Sequence, residues 1–553
     1  MTRNGYYAEG EATRTLASVT IEAQATTLGS AAVSKDQCGS ERGPGRSSGP
    51  SGALAPDAPR WRVVRLVGTG AVALWVTVLA ALSFMIHHRS FLAEDFGIYS
   101  QAWTRIGQGH LNPYSTVYGY PFVKGDLEVI MWPLALLHLI TSNSVVLLWV
   151  QDLAIAACGL VTFLWVLEYL ERRGVSWQKS AGIGAAVLVV FMIDPNVYGT
   201  VGFDFHIEPM STVFVLLAGR DVWRGRNRRA WLWVAGVLLC GSFASITLVG
   251  LGLSALIAGP ATRRTGMLVI ATGLGWLALI SLLHANAGSG LAEYAYLAGR
   301  KTIAGPSGMA LLATGIAIHP WRVTHQIQSR LAEMYLLLKP VGVIGMATAW
   351  GFGVPFAVMV TDALNGNPAF ILDSFQNFAV FPFVLFGTVV ALVWMVQRVS
   401  WGWVPATILA MLFGLQALVY GMNRSPEVIR WTVSRVDAAE GASLRSTLTA
   451  IPPDAEVIAS MSLMGSFCQR EFCYFALPGH ARPVQSSAVV FIFIPAHDPF
   501  ASAADSAAGI AYVRDQLHAR PLAAAAGISA FEWLPPKGTS SVIVPGAAEV
   551  PNG

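Results

Sequence analysis

The sequence predicts an all-α polytopic membrane protein with about eleven transmembrane helices, followed by a small C-terminal α/β domain. Of its 553 residues, 54% are hydrophobic and only 12% are charged, against roughly a quarter in an ordinary soluble domain. So few polar residues cannot cover the surface of a soluble chain of this length. The net charge of +4 is small and its basic residues are scattered. The composition therefore excludes soluble, disordered and fibrous proteins, and it gives no support for nucleic-acid binding.

The apolar segments define the order of the predicted elements. Residues 1–60 are rich in Gly, Ser, Ala and Thr and have no long apolar run, which predicts a disordered cytoplasmic tail. The uncharged stretch Val67–Ile86 then suffices to cross about 30 Å of hydrocarbon. Segment 129–140 is too short to cross, so we expect it to dip into the membrane or lie at its interface. The ten further predicted crossings are 144–168, 180–194, 207–219, 230–242, 246–260, 266–284, 332–347, 350–363, 377–397 and 402–421.

Basic residues predict the orientation of these segments, because short cytoplasmic loops carry an excess of Lys and Arg. They cluster in the loops that contain Arg60–Arg65, Arg172–Lys179, Arg220–Arg229, Arg263–Arg264 and Arg398. Placing these loops in the cytoplasm leaves four segments outside: 87–128, 195–206, 285–331 and 422–553. We therefore expect a transmembrane domain over 61–421, with a cytoplasmic N-terminus and an extracytoplasmic C-terminus.

The last 132 residues, 422–553, change in composition and contain the alternating run Ser487–Ile494. This pattern predicts a small extracytoplasmic α/β domain. Cys468 and Cys473 lie five residues apart in it, and in an oxidising compartment they are candidates for a local disulfide.

Three acidic clusters are the candidate site, and the predicted topology places all three on the outside. Glu94 and Asp95 begin the amphipathic stretch of the first outside loop. Two adjacent carboxylates repel each other and raise the pKa of one of them, which suits a general base or a divalent-cation site. The alternative is structural, because an acid at this position also caps a helix.

The second and third clusters have the same two interpretations. Asp126 and Glu128 end the first outside loop, where the alternative is a solvated loop edge. Asp204, His206 and Glu208 lie at alternate positions between two predicted crossings, where a helix start with Pro209 in its first turn is the alternative.

Aromatic and basic side chains complete the candidate site. The first loop carries Tyr and Trp residues that suit stacking on sugar rings or an interfacial aromatic belt. Arg300, Lys301 and Lys339 are basic residues near the long third outside segment. They run against the expected charge bias, so they are candidates for binding a lipid phosphate, with ordinary loop charge as the alternative.

Several of these runs resemble the bacterial membrane proteins of domain-of-unknown-function family 2079. They are Glu94–Gln101, Gly125–Asp126 and Phe203–Pro209, with Tyr294–Gly299, Pro340–Gly342, Ser374–Asn377 and Ile451–Ala455 following in the family's order. The resemblance covers about residues 90–480. The family is similar to the GT-C class of membrane glycosyltransferases, which implies a polyprenyl-phosphate sugar donor, a glycan or protein acceptor, and a site on the outer face of the plasma membrane.

The resemblance assigns roles to particular residues. In the GT-C class, acids of the first outside loop bind or activate the acceptor, which corresponds here to Glu94 and Asp95. One departure is clear: the family's Lys-Glu-Asp-like element is replaced here by Gly241–Ile246. That difference implies another substrate or a partial loss of activity.

The leading hypothesis is an inverting glycosyltransferase with Asp95 or Glu94 as catalytic base. The sequence identifies no cofactor, although a divalent cation near Glu94 and Asp95 is compatible with it. Two alternatives stay open: a transporter or flippase of a lipid-linked or anionic solute, and a non-catalytic relative that binds a lipid-linked glycan. The substrate-binding candidates are Gln101, Asp126, Glu128, Asp204, His206 and Glu208, with Arg300, Lys301 and Lys339 for the phosphate.

Overall fold

The computed structural model describes residues 58–89, 92–283, 290–303, 305–366, 375–434, 438–476, 478–494, 501–525 and 527–546. The predicted tail, 1–60, lies outside the described residues except for its last three positions, which begin the first helix. Helices dominate the chain. They are α1 (Ala58–Arg89), α2 (Glu94–Gly107), α3 (Met131–Ala135), α4 (Val145–Arg172), α5 (Trp177–Ile193), α6 (Pro195–Gly202), α7 (Glu208–Trp223), α8 (Asn227–Leu238), α9 (Ser242–Ala258), α10 (Pro260–Leu283), α11 (Gly305–Ile318), α12 (Pro320–Leu338), α13 (Ala349–Ala363), α14 (Val380–Arg398), α15 (Trp403–Ser434), α16 (Ala438–Ala450), α17 (Met464–Phe467) and α18 (Ala503–Ala511).

Five helices of the described residues are long and apolar enough to cross a membrane: α1, α4, α10, α14 with the turn before it, and α15. A sixth crossing results if α5 and α6, which are bent by 41° at a short break, are counted together. The apolar helices α9, α11 and α13 are shorter than 18 residues. The structure thus supports five to six crossings, and the count of eleven stays a prediction.

One predicted crossing is wrong in detail. Segment 332–347 is not one helix, because α12 ends at Leu338 and a separate 3₁₀ turn covers Val343–Ala347. Gly342 between them has φ +85°, a left-handed conformation that ends a helix. The predicted outside loop 285–331 contains α11 and most of α12. The 129–140 segment forms only the five-residue helix α3 and a 3₁₀ turn, which confirms that it does not cross.

Four of the five basic clusters, those of Arg60–Arg65, Arg172–Lys179, Arg220–Arg229 and Arg398, meet at one end of the helical bundle. Glu168 near the end of α4 binds Arg220 at 3.3 Å and also pairs with Arg224. Glu171 pairs with Arg65 of α1 at 2.6 Å, and Gln397 at the end of α14 donates to the Arg173 carbonyl at 3.1 Å. Hydropathy and charge therefore grouped these loops correctly. That this end faces the cytoplasm stays a prediction from the positive-inside rule.

The acidic loop lies at the opposite end of the bundle. His87 at the end of α1 lies 3.4 Å from the Ser144 hydroxyl, just before α4 begins. From Gln151 to Glu168, α4 rises by about 25 Å at 1.5 Å per residue, which separates the loop around Gln151 from the arginine cluster. Gln469 also donates to Ser144. The first loop and the C-terminal residues therefore share one end, as the sequence predicted.

The C-terminal residues build a mixed five-stranded sheet with the order β4-β3-β6-β8-β7. Strand β3 is parallel to β4 and β6, whereas β8 is antiparallel to β6 and β7. All five residues of β6 are buried, because α16 and α17 cover one face of the sheet and α18 the other. The nine strands are β1 (Tyr114–Ser115), β2 (Tyr120–Pro121), β3 (Glu456–Ala459), β4 (Cys473–Phe475), β5 (Ala481–Pro483), β6 (Val489–Phe493), β7 (Arg520–Ala525), β8 (Ile528–Trp533) and β9 (Ser541–Ile543).

The boundary expected at residue 422 falls inside α15, which continues to Ser434. The α and β elements of the C-terminal region match the composition that the sequence predicted, but residues Pro56–Gly553 form one compact unit. A separate domain therefore stays a prediction. The disulfide between Cys468 and Cys473 is present, as their spacing suggested.

Candidate functional site

The start of α2 is capped by a residue from a distant loop. Ala93 occupies the N-cap position and has no side chain that can accept a hydrogen bond. The Asp204 carboxylate fills this role: its oxygens accept the Ala93 amide at 3.0 Å and the Phe96 amide at 3.3 Å. An anion here also stabilises the positive end of the helix dipole. Glu94 and Asp95 lie in the first turn of α2, where acids favour the helix dipole, but neither side chain caps the helix.

Gln151 of α4 fixes the loop that presents Asp204. Its side-chain oxygen accepts the His206 amide at 2.5 Å, and its amide donates to the carbonyls of Thr200 and Asp204 at 3.1 and 3.2 Å. A buried polar side chain that satisfies three backbone groups holds them in one arrangement. The third acidic cluster is therefore anchored to a membrane-spanning helix.

His206 lies between two carboxylates. Its Nε2 is 3.7 Å from Asp95 Oδ2, and its Nδ1 is 3.8 Å from Glu208 Oε2. The imidazole is only 4% exposed, and the rings of Phe203 and Phe375 stack against it. The structure thus brings together the first and third acidic clusters, on one side of the bundle.

Asp95 lies on a partly exposed acidic surface formed with Glu94, Asp204 and Glu208, here called the recess. Its side chain is 42% exposed, yet protein atoms surround the carboxylate on most sides. This burial raises the pKa of Asp95 well above its usual range, and the nearby charges of Asp204, Glu94 and Glu208 raise it further. Both effects disfavour the charged form of a carboxylate. The arrangement produces a carboxyl group that is accessible and unusually basic.

Glu94 lies in a different electrostatic environment. Burial and the charge of Asp204 raise its pKa, but the guanidinium of Arg482 lowers it. Arg482 is on β5, where its Nε donates to the Phe475 carbonyl at 2.9 Å and its guanidinium packs on the Phe475 ring. The sequence did not predict Arg482 as a site residue, because it has no local signal that would identify an arginine so distant in the chain as a neighbour of α2.

Glu128 and Asp126 form a second part of the acidic surface. The Tyr99 hydroxyl donates to Glu128 Oε1 at 2.6 Å, and the Glu128 residue is 6% exposed. Burial and the charge of Asp126 raise the pKa of Glu128 well above its usual range, against the effect of the Tyr99 hydrogen bond. The charge of Glu128 also raises the pKa of Tyr118, as does that of Asp95. Tyr118 therefore lies near both carboxylates.

The segment that departs from the family pattern lies directly against these acids. The Ser242 hydroxyl donates to Asp126 Oδ1 at 2.8 Å, and its amide donates to the Asp126 carbonyl at 2.9 Å. Gly241 has φ +97°, and a Cβ there would lie 2.8 Å from the Asp126 carbonyl oxygen and 2.9 Å from Glu128 Cγ. Only glycine fits this close approach. Neutral residues thus occupy the place where the resemblance led us to expect charged ones.

Gln101 is a structural bridge rather than a group that faces the recess. Its amide nitrogen donates to Thr116 Oγ1 at 2.8 Å and to the Arg470 and Glu471 carbonyls at 3.2 and 3.0 Å, while its oxygen accepts the Thr116 amide at 3.0 Å. These two carbonyls belong to the loop closed by the Cys468–Cys473 disulfide. That loop packs on α2 where a Cβ at Gly97 would lie 3.3 Å from Cys468 Sγ.

The phosphate-binding role of the three basic residues stays a prediction. Arg300 and Lys301 are exposed after the 3₁₀ helix Gly290–Ala298. The Lys339 ammonium lies 5.9 Å from the centre of the Tyr420 ring. Among the described residues, no ion pair joins any of them to the carboxylates of the recess. Nor do the described residues contain a group of three or more His, Cys, Asp or Glu side chains arranged to hold a metal ion.

Comparison with known proteins identifies the family to which the chain belongs. No curated protein matches the chain. Among solved structures, ArnT from Cupriavidus metallidurans bound to undecaprenyl phosphate is similar to 84% of this chain and 98% of that one, with a TM-score of 0.40 and 12% identity. Residues 89–503 match the model of a family described as predicted membrane protein (DUF2079). Because this match covers most of the sequence, the chain belongs to the DUF2079 family of membrane proteins.

Proposed function

We propose that this protein is an integral membrane glycosyltransferase that moves a sugar from a polyprenyl-phosphate donor to a glycan or protein acceptor. The observation that carries the proposal is the state of Asp95. Its side chain is 42% exposed and its pKa is raised. The cap of α2 comes from Asp204 and not from Asp95. A basic carboxylate at the end of a membrane bundle suits the activation of a hydroxyl that attacks a membrane-anchored sugar.

Asp95 is a better candidate for the base than Glu94. Arg482 stabilises the charged form of Glu94, which makes that carboxylate a weaker proton acceptor, whereas all charges acting on Asp95 are negative. A general base works best when its pKa lies near the operating pH. The raised pKa of Asp95 therefore shifts it toward the useful range, and Glu94 is left to hold Arg482 near the recess.

The proposed reaction is a direct displacement. The acceptor oxygen forms a bond to the anomeric carbon while its proton passes to Asp95. The bond from that carbon to the phosphate oxygen breaks, and the phosphate leaves with the electron pair. Attack from the face opposite the phosphate inverts the anomeric configuration. Proton transfer by a positioned carboxylate contributes about 10²- to 10⁴-fold to the rate.

The proposal places the donor phosphate toward Arg482. A planar guanidinium is a favourable phosphate ligand, and Arg482 is the arginine whose charge acts on Glu94 at the recess. Arg300, Lys301 and Lys339 stay candidates for binding the lipid phosphate. The polyprenyl chain would lie against the apolar outer surfaces of the helices, several of which are exposed.

One observation favours the alternative of a transporter or flippase. Asp152 is fully buried within α4, close to Ser83 of α1. An ionisable residue inside a membrane helix is expensive and commonly marks a path for ions or solutes. The glycosyltransferase proposal assigns no role to Asp152, so an essential Asp152 would strengthen the alternative.

The experiment compares matched acid-to-amide variants in membranes that contain a polyprenyl-phosphate donor with a labelled sugar. Asp95→Asn should reduce transfer by at least about 100-fold, and Glu94→Gln by less. The control is Asp515→Asn, which changes an exposed acid paired with Arg514 and should leave transfer unchanged. Normal transfer by Asp95→Asn would contradict the assignment of the base.

A further inference from the structure

We propose that His206 is a proton relay that takes the acceptor's proton from Asp95 and is stabilised in its charged form by Glu208. The proposal rests on the proposed function, since it names the route of the proton within the same site. The sequence predicted His206 and Glu208 as substrate-binding residues, which is a different role with different kinetic consequences.

The geometry places the imidazole between donor and stabiliser. Nε2 faces Asp95 at 3.7 Å and Nδ1 faces Glu208 at 3.8 Å, so the two carboxylates approach opposite ring nitrogens. Both distances are slightly longer than a hydrogen bond. Catalytic hydrogen bonds are often long in free enzymes and tighten when substrate binds.

An unsatisfied buried nitrogen is the second observation. His206 Nε2 has no hydrogen-bond partner among the described residues, although its side chain is only 4% exposed. Leaving such a group unpaired is unfavourable, so it calls for an explanation. Because Nε2 faces the Asp95 carboxyl group, its free lone pair can accept a proton from Asp95 when Asp95 is protonated.

The surroundings fix the ring and leave the proton free to move. Gln151 holds the His206 amide at 2.5 Å, and Phe203 and Phe375 stack against the imidazole. With Nδ1 protonated and directed at Glu208, the lone pair of Nε2 is directed at Asp95. The neighbouring residue thereby sets the tautomer, as it does in other imidazole pairs.

The acceptor's proton reaches His206 in two steps. The acceptor hydroxyl gives its proton to Asp95, and a proton passes from Asp95 Oδ2 to His206 Nε2. The imidazolium then donates from Nδ1 to Glu208 and from Nε2 to Asp95, so one positive charge lies between two negative ones. After the product leaves, the proton returns to water through Asp95, which solvent reaches.

The local charges explain why such a relay is useful. Burial lowers the pKa of His206 well below its usual range, so the ring is neutral before the reaction. The charged and titratable groups around this pair are Glu94, Asp204, Glu208, Asp126, Glu128, Asp362, Tyr118 and Tyr99, with Arg482 beside Glu94. Arg482 acts on Glu94, whereas the charges that act on Asp95 are negative, so the imidazolium is the cation that offsets Asp95 and Glu208 during turnover.

The kinetic test uses His206→Gln and Glu208→Gln, with His110→Gln as an exposed control. A relay predicts that both site variants lower kcat by about 10- to 100-fold while KM stays within about twofold. Removing the Glu208 charge also lowers the pKa of Asp95, so the acid limb of the pH profile should move to lower pH. A raised KM with unchanged kcat would instead show that His206 holds substrate, and would overturn the relay.

A second readout needs no substrate. Infrared spectroscopy of the protein in lipid detects the C=O band of protonated Asp95, identified by its loss in Asp95→Asn. In His206→Ala this band should shift, because the acid has lost the imidazole nitrogen that lies 3.7 Å from it. An unchanged band would overturn the relay without touching the glycosyltransferase proposal. Conversely, a shifted band together with absent sugar transfer would show that Asp95 and His206 interact, but it would overturn the proposed function and the relay.

Discussion

Replacing Asp204 tests whether this residue, rather than Glu94 or Asp95, holds the start of α2. The carboxylate accepts the amides of Ala93 and Phe96 at 3.0 and 3.3 Å and is buried. Asp204→Ala removes both hydrogen bonds and leaves two amides without an acceptor. Asp204→Asn keeps an oxygen in place and removes only the charge.

The magnitude follows from the number and kind of these contacts. A hydrogen bond to a charged group contributes about 1.5–3 kcal/mol, and loss of a helix cap costs about 0.5–2 kcal/mol. Removing the charge also relieves its repulsion of Glu94 and Asp95. We therefore expect Asp204→Ala to lower the free energy of unfolding by about 2–4 kcal/mol, and Asp204→Asn by about 1 kcal/mol.

The assay is thermal unfolding of the purified protein in lipid nanodiscs, followed by tryptophan fluorescence. The order of stability should be wild type, then Asp204→Asn, then Asp204→Ala. Asp95→Asn is the matched comparison: it removes a charge that its neighbours repel, so its Tm should equal or exceed that of the wild type. A destabilised Asp95→Asn beside an unaffected Asp204→Ala would refute the assignment of the cap.

Four further predictions concern the site's supports and the topology. Tyr99→Phe removes the donor to buried Glu128 and should cost about 1–3 kcal/mol in chemical denaturation; an unchanged midpoint would contradict this. Gly241→Ala forces a Cβ against a carbonyl at φ +97° and should lower the Tm, whereas Ser242→Ala should do so less. Mass spectrometry should find Cys468 and Cys473 joined, and replacing both by Ser should cost about 2 kcal/mol for so short a loop; free thiols in fresh protein would count against the pair. A reporter active only in the cytoplasm should be silent after Gly553 and active within Arg224–Arg229, and the reverse pattern would invert the topology.

Hydropathy predicted most helices because a membrane helix satisfies its backbone hydrogen bonds internally. Segment 144–168 corresponds to Val145–Arg172, and 350–363 to Ala349–Ala363. The hydropathy prediction failed at 332–347, where apolar residues continue through the break between two helices at Gly342. It also set a boundary at 422, because the composition changes before α15 ends at Ser434. Side-chain polarity alone does not predict where the backbone ends a helix.

The sequence predicted which acids share one end of the protein but not how they divide their roles. The spacing of Asp204, His206 and Glu208 marked that cluster, and the structure brings His206 to Asp95. The sequence could not predict that Asp204 caps α2, because the acids next to a helix start are always the first candidates for its cap when only the sequence is known. Arg482 beside Glu94 and the bridge from Gln101 to the disulfide loop are long-range contacts without a local signal.

The most direct test of glycosyl transfer follows the donor in liposomes that contain the purified protein. A polyprenyl-phosphate donor with a labelled sugar is supplied on one side, and both the new glycosidic bond and the movement of intact donor are measured. The proposal predicts a product with inverted anomeric configuration from the wild type and at least about 100-fold less from Asp95→Asn. Movement of intact donor across the bilayer, with no new glycosidic bond and no effect of Asp95→Asn, would contradict it and identify a flippase.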